Sequence, residues 1–241
     1  MRIGLFGRGR FGSALLASAR DAEDLEIAWA VDRGESPSSP VEVAIEASAA
    51  DAVAGHLDWA LATGSALVIG TTGWEIPDLD ARVRGRIGVL AASNCSLTVA
   101  LMARFAEVLG RYAQLVEDRD LHVLEHHHRL KADAPSGTAR TLADALLRGC
   151  PRMTGWTSGV PRPGQLGIGV IRAGAEPGRH TVGLDSPSET LEITHRARSR
   201  RPFAEGALAA ARWLRGRKGL FTMEDLAADL LDPLFVPGAE P

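Results

Sequence analysis

Cysteine is almost missing from this chain: Cys95 and Cys150 are the only two in 241 residues. That count excludes a disulfide framework, and it excludes a zinc cluster unless histidines supply the ligands. Lysine is equally scarce. Of 27 cationic residues only Lys131 and Lys218 are lysine, the rest being arginine, so a lysine inside a motif carries more information than usual. No apolar run approaches the length of a membrane helix. The amino terminus, MRIGLFGRGRFG, is interrupted by Arg8 and Arg10 and makes a poor export signal. The net charge of −3 lacks the positive excess of a nucleic-acid binder. With 45% apolar and 24% charged residues the composition is that of an ordinary globular chain, long enough to bury a core in one large or two small domains. These absences lead to an expected cytoplasmic, reduced protein with neither nucleic acid nor membrane as partner.

What is present is an alternation. Residues 2–6 read as a short buried strand, 13–19 as the start of a helix, 25–31 as a second strand ending at Asp32, 41–45 as a third, 49–63 as a helix, 66–69 as a fourth strand and 86–91 as a fifth. The Ser- and Pro-rich stretch 34–40 reads as a loop. Strands and helices alternating at this spacing predict an α/β fold, a Rossmann-like doubly wound parallel sheet. Beyond about residue 95 the texture changes. A long helix is expected over 97–109, a strand over 121–126, a helix over 137–147 capped by Ser136, loops over 150–164, antiparallel strands over 168–172, 180–184 and 190–197, and helices near 203–215 and 223–231. The domain reading is a dinucleotide-binding domain of 1–95 plus 202–241, and a smaller α+β domain of 96–201 for substrate binding and oligomerisation.

Two loops in the first part read as ligand loops. Gly7, Gly9 and Gly12 form GxGxxG between a strand and a helix. Gly7 suits a tight turn, Gly9 admits a pyrophosphate to the backbone, and Gly12 lets the helix close on the strand. With Arg10 and Phe11 they make the expected phosphate cradle, its anion favoured by the helix dipole. Asp32, twenty residues after Gly12, stands where a carboxylate holds the adenosine ribose. Arg33 beside it can grip a 2′-phosphate, so the cofactor is NADH or NADPH with the choice open; a solvated loop charge is the plain alternative for Arg33. Gly70-Thr71-Thr72-Gly73 follows the fourth strand, at the sheet end where ligands bind, although such a sequence also makes ordinary turns.

The third feature is Glu125-His126-His127-His128-Arg129-Leu130-Lys131, followed by Asp133-Ala134-Pro135-Ser136-Gly137-Thr138-Ala139. If the run is extended, His126 and His128 point opposite to His127. A metal site needs further ligands at fitting geometry, for which Glu125 and Asp133 do not decide, and no metal is expected. The more specific reading is a histidine that donates a proton near neutral pH, a lysine that binds a carboxylate, and a helix start at Gly137 and Thr138 that forms a second anion site. Solvated histidines and a solvated lysine are the bland alternative.

On these residues the chain resembles bacterial 4-hydroxy-tetrahydrodipicolinate reductase, also called dihydrodipicolinate reductase, of the lysine and diaminopimelate pathway. The stretch from Glu125 to Ala139 carries most of the resemblance. Gly70–Gly73, Arg172-Ala173-Gly174, Gly178-x-His180-Thr181, Leu191–Ala197 and Gly219-Leu220-Phe221-x-Met223 support it in order along nearly the whole chain. The resemblance implies His127 as catalytic acid and Lys131 as proton donor or carboxylate partner. It implies His128, Gly137 and Thr138 as holders of a small dicarboxylate substrate. Asp32 and Arg33 would meet the adenosine end of the coenzyme. Gly70, Thr71 and Thr72 with Ala92, Ser93, Asn94 and Cys95 would line the nicotinamide half, and Arg200 would lie near the cofactor. It also implies a homotetramer built through the second domain's sheets; for the reaction itself, domain closure that excludes water is expected. The chain departs from the family in its shorter glycine loop, where GxxGxxG is usual, and in Asn94-Cys95-Ser96-Leu97-Thr98, where Asn-Phe-Ser-x-Gly is common. Two other readings stay open: a related oxidoreductase acting on another carboxylated imine or aldehyde, which a substrate panel would separate, and a non-catalytic NAD(P)-binding regulator, which would bind coenzyme without reducing anything.

Overall fold

The computed structural model describes residues 1–236; of the segment 202–241, residues 237–241 lie outside the description. The chain divides into two compact units, Met1–Leu97 with the chain from Arg200 onward, and Thr98–Ser199.

The first unit is a six-stranded sheet in the order β11-β5-β4-β3-β1-β2, with every pairing parallel. Its strands are β1 (Arg2–Phe6), β2 (Glu26–Val31), β3 (Val43–Glu46), β4 (Ala66–Ile69), β5 (Gly88–Ala91) and β11 (Gly219–Thr222). The central strands β3 and β4 are buried at every position, because helices cover both faces; that is why they read as continuous apolar runs and not as alternating ones. On one face lie α1 (Arg10–Arg20), α6 (Arg201–Leu214) and α7 (Met223–Leu231), sharing a core with Ile3, Leu5, Ile45, Val68 and Leu90. On the other lie α2 (Val53–Thr63) and α3 (Leu79–Val83), packed on Phe6, Ala44, Leu67, Ile69 and Val89. Neighbouring β1 and β3 feed their crossovers to opposite sides, so the strand order reverses there and leaves a crevice beyond their carboxyl ends.

The β1–α1 turn shows why this loop is built of glycine. Gly7 has φ +93°, and a Cβ on Gly12 would stand 1.9 Å from the Gly7 carbonyl oxygen. Gly12→Ala is therefore expected to destabilise the fold by roughly 1–3 kcal/mol, read as a lowered midpoint in urea unfolding; an unchanged midpoint would show that α1 can move away from β1 without cost.

The second unit is a five-stranded mixed sheet in the order β10-β9-β6-β8-β7, formed by β6 (Asp120–His127), β7 (Gly155–Thr157), β8 (Gln165–Arg172), β9 (Arg179–Asp185) and β10 (Thr190–Arg196). The helices α4 (Leu97–Gln114) and α5 (Gly137–Gly149) bury Leu121, Val123, Leu166, Ile168, Val182 and Leu184 of this sheet. Burial along β6 alternates strictly from Leu121 to His127. The face that carries Leu121 and Val123 into the core therefore also carries Glu125 and His127.

Several expectations from sequence need correction. The strand expected over 168–172 runs from Gln165 and pairs in parallel with β6 and β7, because α5 and β7 intervene and return the chain in the same direction. The expected loop over 150–164 contains β7. The segment before 223 forms β11, which joins the first sheet beside β5. A helix not foreseen, α3, covers Leu79–Val83.

Candidate active site

In the first unit an open cavity of about 420 Å³ lies beyond β1, β2 and β3, lined by Gly7, Gly9, Asp32, Arg33, Glu35, Ser48 and His56 among others. A Cβ added to Gly9 would meet nothing within 4 Å, so the loop leaves open space where a pyrophosphate approaches. Gly9 precedes α1, whose first residue is the exposed Arg10, and Phe11 packs into the core behind the loop. Asp32 is half exposed and accepts from Arg8, whose guanidinium also donates to both oxygens of Glu35 at 2.8 Å. Hydrogen bonds from the Asp32 backbone and from Arg8 hold the Glu35 carboxyl below its usual range. Arg33 reaches out to Asp51 at 2.9 Å.

Two groups escaped sequence reasoning here: His56, which lines this cavity, and Glu46, which contacts it. Glu46, wholly buried at the end of β3, accepts from Ser48 N at 2.7 Å and Thr71 Oγ1 at 3.0 Å, and makes a close contact with His56 Nδ1. His56 in turn stacks on Phe6, ring centroids 3.8 Å apart. One carboxylate thus ties the cavity wall to the Gly70–Gly73 loop. The available signal was an acidic residue ending an apolar strand, the same signal that marked Asp32.

A second cavity of this unit, about 330 Å³, is lined by Thr71, Thr72, Gly73, Trp74, Ala91, Ala92 and Ser93. Gly70 donates its N–H to the Glu46 carbonyl at the foot of that loop. Asn94 Oδ1 accepts from Ser96 N at 2.9 Å. The Cys95 side chain is buried in the core, and burial pushes its thiol up to about 12, so it offers this cavity no thiolate. Arg200 precedes α6 and lines neither cavity.

In the second unit the end of β6 forms a polar cluster at the edge of the core. Glu125, fully buried, accepts at Oε1 from Ser136 N (2.9 Å) and Arg172 Nη2 (2.7 Å). Its Oε2 lies 3.2 Å from His127 Nδ1 and 3.7 Å from His180 Nε2. Burial works against its ionisation, but the hydrogen bonds from Ser136 and Arg172 prevail and hold the carboxyl low. Burial depresses the His127 imidazole; Glu125 opposes that, while Lys131 and Arg172 add to it. Arg172 also donates to the Asp133 carbonyl at 2.6 Å, which ties to the same cluster the loop that carries Lys131. Lys131 Nζ is engaged by Asp133 at 2.7 Å. Ser136 caps α5, accepting from Ala139 N at 3.2 Å, which sets Gly137 and Thr138 in the first turn. His128 follows the strand and donates its N–H to the Glu176 carbonyl. His127, Lys131, Ser136 and the start of α5 thus converge, whereas Gly7, Asp32 and Thr71 belong to the other unit. Glu125, His127 and His180 each offer a ligand atom within 4.8 Å of the others. However, Arg172 already supplies positive charge to the same carboxylate, and a cation there would be repelled.

Comparison with known proteins places these observations. Family models match over residues 36–95 (dihydrodipicolinate reductase, N-terminus) and 98–227 (dihydrodipicolinate reductase, C-terminus). The chain is 32% identical to the 4-hydroxy-tetrahydrodipicolinate reductase of Methanoregula boonei, over 90% of this chain and 94% of that one. It is 37% identical to the enzyme of the same name from Gluconacetobacter diazotrophicus, over 94% and 96%. Among solved structures it resembles a dipicolinate-bound dihydrodipicolinate reductase from Paenisporosarcina sp. TG-14, with a TM-score of 0.77 at 20% identity, covering 94% of this chain and 99% of that one.

Proposed function

The chain belongs to the dihydrodipicolinate reductase family, and from that premise we propose how its own residues carry the reaction. It is a nicotinamide-dependent oxidoreductase that reduces 4-hydroxy-tetrahydrodipicolinate, a small dicarboxylate, in lysine biosynthesis. The observation that carries the assignment of residues is the convergence of His127, Lys131 and the capped start of α5 around the end of β6.

The first unit fits the coenzyme: its glycine loop leaves space at Gly9, and Asp32 stands at the rim of the same cavity. Gly7, Gly9, Arg10, Phe11 and Gly12 would hold the pyrophosphate end. Gly70, Thr71, Thr72, Ala92 and Ser93 would line the nicotinamide side, with Asn94 and Cys95 contributing backbone and Arg200 a nearby charge. When bound, the reduced nicotinamide supplies the hydride. Lys131 releases Asp133 to bind one substrate carboxylate, while Gly137 and Thr138 at the α5 N-terminus, with His128, hold the other. His127 delivers the proton to the atom that becomes basic as the hydride arrives.

Both NADH and NADPH are accommodated, NADH the better. Asp32 and Glu35 line the first cavity and would present two carboxylates to the ribose, with Arg8 already engaged by both. Asp32→Ala should lower kcat/KM for NADH on the order of tenfold, as expected for loss of a charged hydrogen bond, and narrow the gap to NADPH. Equal effects on the two coenzymes would contradict this. The protein acts in the cytoplasm as a homotetramer; no helix among the described residues is long and apolar enough to cross a membrane, and the outer face of the second sheet leaves Ile171 exposed. Sedimentation would return a single-chain mass if the tetramer is wrong. The activity is tested by supplying freshly generated substrate with each coenzyme in parallel: oxidation of the coenzyme that depends on the substrate is expected, and binding of coenzyme without turnover would overturn the reading.

A further inference from the structure

Glu125 and His180 are buried titratable groups, and Arg172 a partly buried charge, that the reaction above does not use. Glu125 and His127 are two residues apart on β6 and so share a face; His180 stands directly opposite Glu125 on β9. The two imidazole rings meet edge to face with centroids 5.0 Å apart. Of the two, His127 Nδ1 is the nearer to Glu125 Oε2, at 3.2 Å against 3.7 Å for His180 Nε2. His180 Nε2 lies 3.2 Å from Ser136 Oγ, whereas Oε2 and His127 Nδ1 are buried with no hydrogen-bond partner elsewhere among the described residues. The other oxygen is filled by the Ser136 N–H and the Arg172 guanidinium. Arg172 also donates to the Asp133 carbonyl at 2.6 Å, next to the carboxylate that holds Lys131.

We propose that Glu125 is the positioning residue of this site: its buried carboxylate keeps the proton of neutral His127 on Nδ1, leaves Nε2 as the atom that exchanges a proton with substrate, and locks the start of α5 in register with it. The inference rests on His127 being the proton donor. A carboxylate facing Nδ1 selects the Nδ1–H tautomer in the way the third member of a hydrolase triad does. His180 does not divert it, because burial, reinforced by the neighbouring His127, pushes that imidazole down to about 4 and keeps it neutral. On the far side, a Cβ added at Gly178 would stand 3.2 Å from His127 Nε2; glycine at that position leaves the exchanging nitrogen uncovered. One anion thereby sets the tautomer of the acid, the register of the anion-binding helix and the position of the chain around Lys131.

The charged and titratable groups around His127 are Glu125 on its own strand, Lys131 and Asp133 on the following loop, Arg172 on β8 and His180 on β9. Of these, Glu125 does most to favour the imidazolium. Glu125→Gln keeps the shape and removes the charge. It is expected to lower kcat on the order of 10–100-fold, part of what a positioned acid contributes, and to move the alkaline limb of the kcat profile to lower pH, while circular dichroism stays that of the parent. Gly178→Ala should lower kcat with that limb unmoved. A Gln variant with parental kcat and an unmoved limb would overturn the proposal. His127→Gln separates the two readings: if it retains full turnover, His127 is not the donor, whatever Glu125 does. Should the Gln variant not fold, imidazole ¹⁵N shifts of the parental protein decide, since neutral His127 protonated at Nε2 contradicts the proposal and at Nδ1 supports it.

Discussion

Replacing His127 by asparagine is expected to cut turnover by roughly 10²–10⁴, and replacing Lys131 by alanine to do the same, the range of a positioned acid or of a buried charge pair formed with substrate. The two losses should differ in kind. Asparagine at 127 retains a polar group of similar size but has no proton to exchange near neutrality, so kcat falls and the alkaline limb of the profile disappears. Lys131 contributes charge, and its loss should also raise KM for the dicarboxylate. Lys131 Nζ is bound by Asp133 at 2.7 Å, and that contact helps to hold the Asp133 carboxyl low. Substrate must compete with that carboxylate. Steady-state kinetics across pH with both variants checks the pair. Parental turnover in both would show that the proton and the anchoring charge come from elsewhere.

The second large effect concerns stability in acid. His180 is buried, and burial, with the adjacent His127, depresses its imidazole from 6.5 to about 4. The unfolded chain takes up this proton as the pH falls through 6.5; the folded chain does so only near 4. Between those values the unfolded state binds more protons, so stability rises with pH there and is lost as the medium is acidified. The loss amounts to roughly 3 kcal/mol by pH 4. His127 and His195, also depressed by burial, act in the same direction. Carboxylates held low by their partners, such as Asp24 at about 2 with Arg212, weaken the fold only at lower pH, so the two windows separate. Urea unfolding at pH 7 and pH 4.5 should show the drop, and His180→Gln, which retains a polar partner for Ser136 Oγ, 3.2 Å from His180 Nε2, should flatten it. An unchanged slope in that variant would assign the acid sensitivity to other groups.

What could be read from the sequence was what is local. The strand–GxGxxG–helix order requires only steric facts about Gly7 and Gly12, and the two-residue period of β6 already set His127 apart from its neighbouring histidines. Ser136 before Gly137 named its own helix cap. What escaped is non-local. β11 is four residues long and becomes a strand by pairing with β5, more than a hundred residues away. The direction of β8 depends on α5 and β7 intervening, which composition does not reveal. Glu46 and His56 meet only because β3 and α2 pack together, and Glu125 looked like one more acid beside the histidines until the fold brought His180 and Arg172 to it. The Gly206 backbone lies so close to Cys95 O that a Cβ there would stand 1.7 Å away. The close approach of the chain at Cys95 to α6, an element about a hundred residues downstream, is equally non-local.

The central claim is that a dicarboxylate ring is gripped by Lys131 and the α5 N-terminus with His127 turned toward it. Its most direct test is a crystal structure with dipicolinate and oxidised nicotinamide coenzyme bound together. The account predicts one ligand carboxylate on Lys131 Nζ, the other on the backbone of Gly137 and Thr138, and His127 Nε2 facing the ring beside the nicotinamide. A ligand held by other residues, or a coenzyme bound away from Gly7–Gly12, would contradict it.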